Sequence, residues 1–199
     1  NGTVTQIGSL TVESGSTVNG TITVESGTTA DISGTVNGPV TVKSGATANI
    51  SGTVTGKITV ESGASLTTNG AALSGGVDTS GATSLTGTTV SGDGVTVKDG
   101  TCTITGGAIT NILKTGGGGV YVENGTCIID GTSITGNTAQ ASGGGVYIAG
   151  GECTIQGDAQ ITGNKATSGN GGGVYVAGGT CTIDGSAQIT NNTAKGNTA

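Results

Sequence analysis

Residues 22–60 read ITVESGTTADISGTVNGPVTVKSGATANISGTVTGKITV, and two periods run through them. Ile22-Thr-Val24, Val40-Thr-Val42 and Ile58-Thr-Val60 recur every 18 residues, and ADISGTVNG at 30–38 returns as ANISGTVTG at 48–56. A shorter period lies inside the longer one. Val24, Ala30, Val36, Val42, Ala48, Val54 and Val60 stand six apart, each preceded by a threonine. Three six-residue sides per 18-residue coil produce both periods at once. Within each side the apolar-Thr-apolar alternation is that of a short strand, aliphatics on one face and the hydroxyl on the other. Identical sides recurring at fixed spacing stack on their own copies, so the neighbouring strands are parallel and the chain is a solenoid.

Outward from this stretch the hexads extend to Val12 and Val18 on one side and Leu66 on the other. Residues 73–94, LSGGVDTSGATSLTGTTVSGDG, lose the register and read as one irregular connecting coil. From Val95 a wider repeat takes over: GVTVKDGTCTITGGAITN, GGVYVENGTCIIDGTSITGN, GGVYIAGGECTIQGDAQITGN and GGVYVAGGTCTIDGSAQITNN. Its strands begin at Val95, Val120, Val146 and Val174, with spacings of 25, 26 and 28. Constant strands in lengthening coils place the added residues in one loop, at the TAQAS and KATSGN stretches. The expected fold is therefore all-β, a single-stranded right-handed parallel β-helix of about nine rungs spaced ~4.8 Å. It has a narrow section at 1–72, the connecting coil at 73–94 and a wider section at 95–199, in one continuous rod.

Composition agrees with a narrow coil and limits the chemistry. Glycine supplies 43 of 199 residues, whereas His, Arg, Phe, Met and Trp are absent. The net charge of −6, with lysine as the sole cation, argues against nucleic acid as a partner. The apolar runs are too short to span a bilayer as helices, so no membrane insertion is expected. No charged-then-apolar leader opens the sequence, as expected of a mature secreted form, a cytoplasmic protein or an excised fragment.

Three side-chain ladders stand out in the wider repeat. Cys102, Cys127, Cys153 and Cys181 share a face with the core isoleucines, which predicts a column of buried free thiols behaving as small hydrophobes. A disulfide between adjacent rungs is the alternative: Cα atoms ~4.8 Å apart fall within its range, although the Cβ atoms then stand farther apart than its usual ~3.8 Å and bridging would pinch the sheet. Without CxxC or histidine there is no zinc pattern, so neither a metal nor a cofactor is expected. Asn137, Asn164 and Asn192 each follow an isoleucine by three residues and predict a turn ladder of stacked amides. Tyr121, Tyr147 and Tyr175 lie at the outward place between two inward aliphatics, a possible contact surface for carbohydrate or a neighbouring rod.

Catalysis finds little to work with. Asp130 and Asp184 share a repeat position two rungs apart, a spacing of ~9.6 Å close to that of inverting glycosidases, but Gln156 stands between them. Glu13, Glu25, Lys43 and Glu61 sit at a strand-to-turn edge and read as solvation. Threonine rows suggest an ice-binding face as an alternative, and Asn19, Asn49, Asn124 and Asn191 open glycosylation sequons.

Two resemblances follow from these motifs. GSLTVESGSTVNGTI at 8–22 resembles the bactofilin pattern, which extends over residues 8–72 and implies an end-to-end polymerising β-helix. GGGV at 143–146 and 171–174, with ITGN at 134–137 and 161–164, resembles the paired GGAI and FxxN repeats of chlamydial polymorphic outer-membrane proteins and related bacterial adhesins, over 95–199. Isoleucine here replaces the phenylalanine of that pattern. The resemblances imply no catalytic residues. The expected function is that of a non-enzymatic, secreted or cell-surface structural protein, an adhesin stalk or fibre subunit stacking head to tail. Its expected partners are other copies or neighbouring segments of a larger surface protein. The alternatives are a polysaccharide-binding module using the Tyr face, an ice-binding solenoid, and an intracellular bactofilin-like scaffold.

Overall fold

Among the described residues every rung contributes one strand to each of three parallel sheets, and each sheet collects nine strands in sequence order. This is a parallel β-helix solenoid, seen in a computed structural model that describes the backbone of residues 2–5 and the whole of residues 8–196. Residues 1, 6, 7 and 197–199, the outermost parts of the 1–72 and 95–199 sections, lie outside the described residues. A typical rung takes Gly20–Val24 into the first sheet, Thr29–Ile32 into the second and Thr35–Val36 into the third. Nine rungs at ~4.8 Å make a rod on the order of 40 Å long.

The hexad is the geometry of this triangle. Val24, Val42 and Val60 point inward from the first sheet, Ala30, Ala48 and Leu66 from the second, and Val36 and Val54 from the third, all buried. Each sits on its copy one coil away: Ile32 pairs with Ile50, and Val36 with Val54. From Val24 to Val60, stacking like side chains on like side chains gives successive rungs nearly the same close-packed interior. Pro39 lies in the corner before Val40–Val42, where its carbonyl accepts from the Ile22 amide at 3.0 Å and its missing N–H costs nothing.

Residues 73–94 depart from the irregular coil expected of them. They carry Val77–Thr79, Ala82–Thr86 and Thr89–Val90, which continue all three sheets in register. Two features hide this from the pattern. Val54 pairs with Leu73, 19 residues on, while Leu66 pairs with Thr83, 17 on, so the register slips by one and recovers. The inward places are also partly taken by threonine: Thr68, Thr79, Thr83 and Thr88 are all buried. Their hydroxyls are satisfied in pairs, Thr68 with Thr88 at 2.6 Å and Thr79 with Thr83 at 2.7 Å.

The wider section also differs from a three-sided coil with a longer loop. The added residues form a fourth parallel sheet, Leu113–Lys114, Thr138–Ala139, Lys165–Ala166 and Thr193–Ala194. Ala139 and Ala166 are fully buried, so this side closes over the interior. The length variation between rungs falls mainly after these two-residue strands, at residues 140–145 and 167–173, but not in that one loop alone: the corner at 157–159, between the second and third sheets, is one residue longer than its copy at 131–132.

Candidate functional site

The side chains with chemical potential lie in the wider section, in three columns parallel to the rod axis. The cysteine column belongs to the second sheet, where Cys102 pairs with Cys127, Cys127 with Cys153 and Cys153 with Cys181. All four thiols are free; the first three are buried and Cys181 is half-buried. Alternation within Thr101–Thr105 and its copies turns Cys and Ile inward together. The Cys102 thiol beside it, together with burial, pushes Cys127 well above the ordinary thiol range. Cys153 and Cys181 are raised in the same way, by their neighbours on the column first and by burial after. These are protonated, poorly nucleophilic sulfurs.

The asparagine column lines the corner between the third and fourth sheets. The Asn137 side chain donates from Nδ2 to the Ile109 carbonyl at 2.9 Å and to Asn164 Oδ1 at 3.0 Å, and its own Oδ1 accepts from the Ile112 amide at 3.0 Å. Asn164 repeats the arrangement, donating to the Ile134 carbonyl at 2.8 Å and to Asn192 Oδ1 at 3.0 Å. Its Oδ1 also receives the Asn137 backbone amide at 3.0 Å. An amide has the donor and the acceptor such a chain needs at every step. With each group engaged, the column closes a corner that the backbone alone leaves unsatisfied.

The tyrosines form a third column on the outer face of the first sheet. The Tyr121 and Tyr147 rings are stacked, centroids 5.2 Å apart and planes 15° apart, while Tyr147 and Tyr175 are 5.4 Å apart and tilted by 43°. Tyr121 and Tyr147 therefore turn one face each toward the other, which takes those two faces from a sugar, whereas Tyr175 is tilted out of the stack. All three tyrosines are half-buried. Burial, with Glu123 nearby, raises the Tyr121 hydroxyl above its ordinary value.

The carboxylate pair does not assemble. Gln156 pairs with Asp130 in register and donates Nε2 to Asp130 Oδ2 at 2.9 Å, bridging the rung where a substrate would have to lie. Among the described residues no three His, Cys, Asp or Glu side chains converge on a point that could hold a metal ion. The outer columns of the second sheet are not uniform threonine: one runs Thr47, Ser65, Ala82, Thr101, Thr126, Glu152, the other Asn49, Thr67, Ser84, Thr103, Ile128, Thr154. Two shallow depressions on this face, about 190 and 140 Å³, meet at Thr67; short hydroxyl and amide residues line them beside Leu66, Ala82, Ile32 and Ile50, and their exposed walls are mostly carbon.

Sequence reading did not anticipate the charge cluster at the junction of the two sections. Lys57 contacts Asp93 at 2.7 Å and Asp78 at 3.7 Å, and Lys98 contacts Asp78 at 2.9 Å. Lys114, on the first strand of the fourth sheet, donates to Thr96 Oγ1 at 3.1 Å. Its partial burial lowers its pKa despite the two nearby aspartates. The hydrogen bond from Lys57 holds Asp93 below the usual carboxylate range, and Lys57 is raised in return. The signal was in the spacing, since Lys57, Asp78 and Lys98 lie roughly one coil apart. At the narrow end Lys43 and Glu61 form a similar cross-rung pair.

The fold and these columns define a repeat protein of the parallel β-helix class whose polar groups are arranged as axial ladders. Comparison with protein-family models, with curated proteins and with solved structures finds no match for this chain. The two repeat resemblances therefore assign no family.

Proposed function

We propose that this chain is a non-enzymatic, extracellular structural protein, the β-helical stalk of a bacterial surface adhesin or the subunit of a fibre that stacks end to end. The observation that carries this reading is where the polar chemistry goes. The asparagines, the Asp130–Gln156 pair and the Lys57, Asp78 and Lys98 group all bond along the axis from rung to rung. Such bonds hold a rod together lengthwise. In the fibre form the last described rung would be the contact between copies. Val176, Ile183 and Ile189 are 44%, 51% and 38% exposed there, whereas their register partners Ile148, Ile155 and Ile161 are buried. A further rung, from the same polypeptide or a second copy, would cover them by the parallel pairing already repeated through the rod.

Electron microscopy of the purified protein over a range of concentrations tests the fibre form. Long unbranched filaments of the rod's own width are expected, and they should break up when Ile183→Lys and Ile189→Lys place charge on the end rung. Monodisperse short rods at all concentrations would overturn the fibre reading. The stalk form is tested in the native cell by surface labelling, where purely intracellular protein would overturn it.

A further inference from the structure

The cysteine column has properties that core filling does not require. Four thiols stand in one file, on adjacent strands, with no other residue between them. The rungs are ~4.8 Å apart, and a metal–thiolate bond is ~2.3 Å. A metal ion midway between two adjacent sulfurs in linear coordination therefore needs them ~4.6 Å apart, close to the rung separation. Zinc does not fit, because it needs four ligands around one centre and each gap in the column offers two.

We propose that the column is a binding site for soft, linearly coordinating divalent cations of the mercuric type, one ion per adjacent pair of cysteines. Thiolates select soft ions. Charge selects the divalent one: two thiols lose their protons to solvent, one dication takes their place, and the S–metal–S unit that remains is neutral. No sulfur changes oxidation state. A monovalent soft ion held the same way would leave a net negative charge in an apolar interior, which is costly. The surroundings suit a neutral unit, since Ile104, Ile129 and Ile155 line the same strands and are buried. The raised thiol pKa values also keep the sulfurs protonated and slow toward alkylating agents and oxidants. Only a metal that binds sulfur strongly enough to displace those protons engages them, and the half-buried Cys181 is the most accessible starting point.

The test separates adjacency from thiol number. The reduced protein is titrated with mercuric chloride in excess glutathione and the ions retained per chain are counted by native mass spectrometry. The intact column should retain two ions with the loss of four protons. C102A/C127A leaves the adjacent Cys153 and Cys181 and should retain one. C127A/C181A keeps the same number of thiols but leaves Cys102 and Cys153 two rungs apart, and should retain none. C102A/C181A, which keeps the inner Cys127 and Cys153 pair, should retain one and serves if C102A/C127A fails to fold. Equal retention by the separated and adjacent variants would overturn the proposal, as would one glutathione-capped ion on every thiol or no retention by the intact protein.

Discussion

Asn164 shows how much one side chain carries in this fold. Its amide donates to the Ile134 carbonyl and to Asn192, and accepts both the backbone amide and the side chain of Asn137. Truncation strands several buried groups, each costing about 1–3 kcal/mol. Asn164→Ala should therefore lower stability by at least about 3 kcal/mol in urea unfolding, and Asn164→Asp should not rescue it, because a carboxylate offers no donor for Ile134. Asn49, which donates to Asp31 at 2.8 Å on the exposed face, sets the contrast: its alanine variant should stay within about 0.5 kcal/mol of the parent. The cysteines make a second prediction at this scale. Buried Cys127 and Cys153 hold their protons in the folded state above the ordinary thiol pKa, while the unfolded chain releases them above about pH 8.5. The stability they confer is thus whole below that pH and declines as pH rises. Each should cost about tenfold in the folding constant per pH unit. Unfolding at about pH 7.5 and 10, in the parent and in Cys127→Ala/Cys153→Ala, isolates the contribution; equal pH slopes would contradict it.

At the scale of the strand and its corner, the repeat supplies its own controls. Asn111, Gly136, Gly163 and Asn191 follow the third-sheet strand in successive rungs, with φ of 58°, 65°, 65° and 56°. Asparagine is thus already accepted at a left-handed corner where a Cβ on Gly136 would meet open space. Gly136→Asn should change stability by no more than about 1 kcal/mol in thermal or urea unfolding. Gly144 is the opposite case: a Cβ there runs into the backbone of Lys165 and the carbonyl of Gly172. Gly144→Ala has to separate two rungs and should cost upward of about 2 kcal/mol. These elements also show what the sequence could reveal. Where the core is aliphatic and the coil constant, as from Val24 to Val60, strand, face and register follow from the period alone. Residues 73–94 read as an irregular coil because the burial of Thr79 and Thr83 depends on a hydroxyl partner, and their pairing spans a corner that no local pattern contains. The fourth sheet was hidden because its strands are two residues long and hold only one buried alanine each in the middle rungs. The cysteine and asparagine columns were legible because spacing and inward face are one-dimensional properties. The mutual stacking of the tyrosine rings was not, since it depends on side-chain rotamers.

Across the whole molecule, each rung touches only its neighbours, so stability is a sum of rung and interface terms and need not be lost all at once. The two sections hold themselves together differently. The narrow one relies on a dense aliphatic interior, Ile22 to Leu66, whereas the wide one has more backbone to satisfy and uses the asparagine column to do so. The rungs from Val77 to Val90 join them through continuous sheets, buried threonine pairs and the Lys57, Asp78 and Lys98 contacts. Damage placed in the wide section should therefore spread through its rungs and stop near this junction. Hydrogen exchange on Asn164→Ala provides the measurement. Amides of the strands from Val120 to Thr190 should exchange much faster than in the parent, while those of Ile22, Val42 and Val60 keep their protection. Salt should then move the boundary, since the Lys57 and Lys98 contacts are partly exposed and weaken as ionic strength rises. If protection instead falls equally from Ile22 to Ile189, the rod unfolds as one cooperative unit. The narrow and wide coils would then be two profiles of a single body rather than two segments that can hold independently.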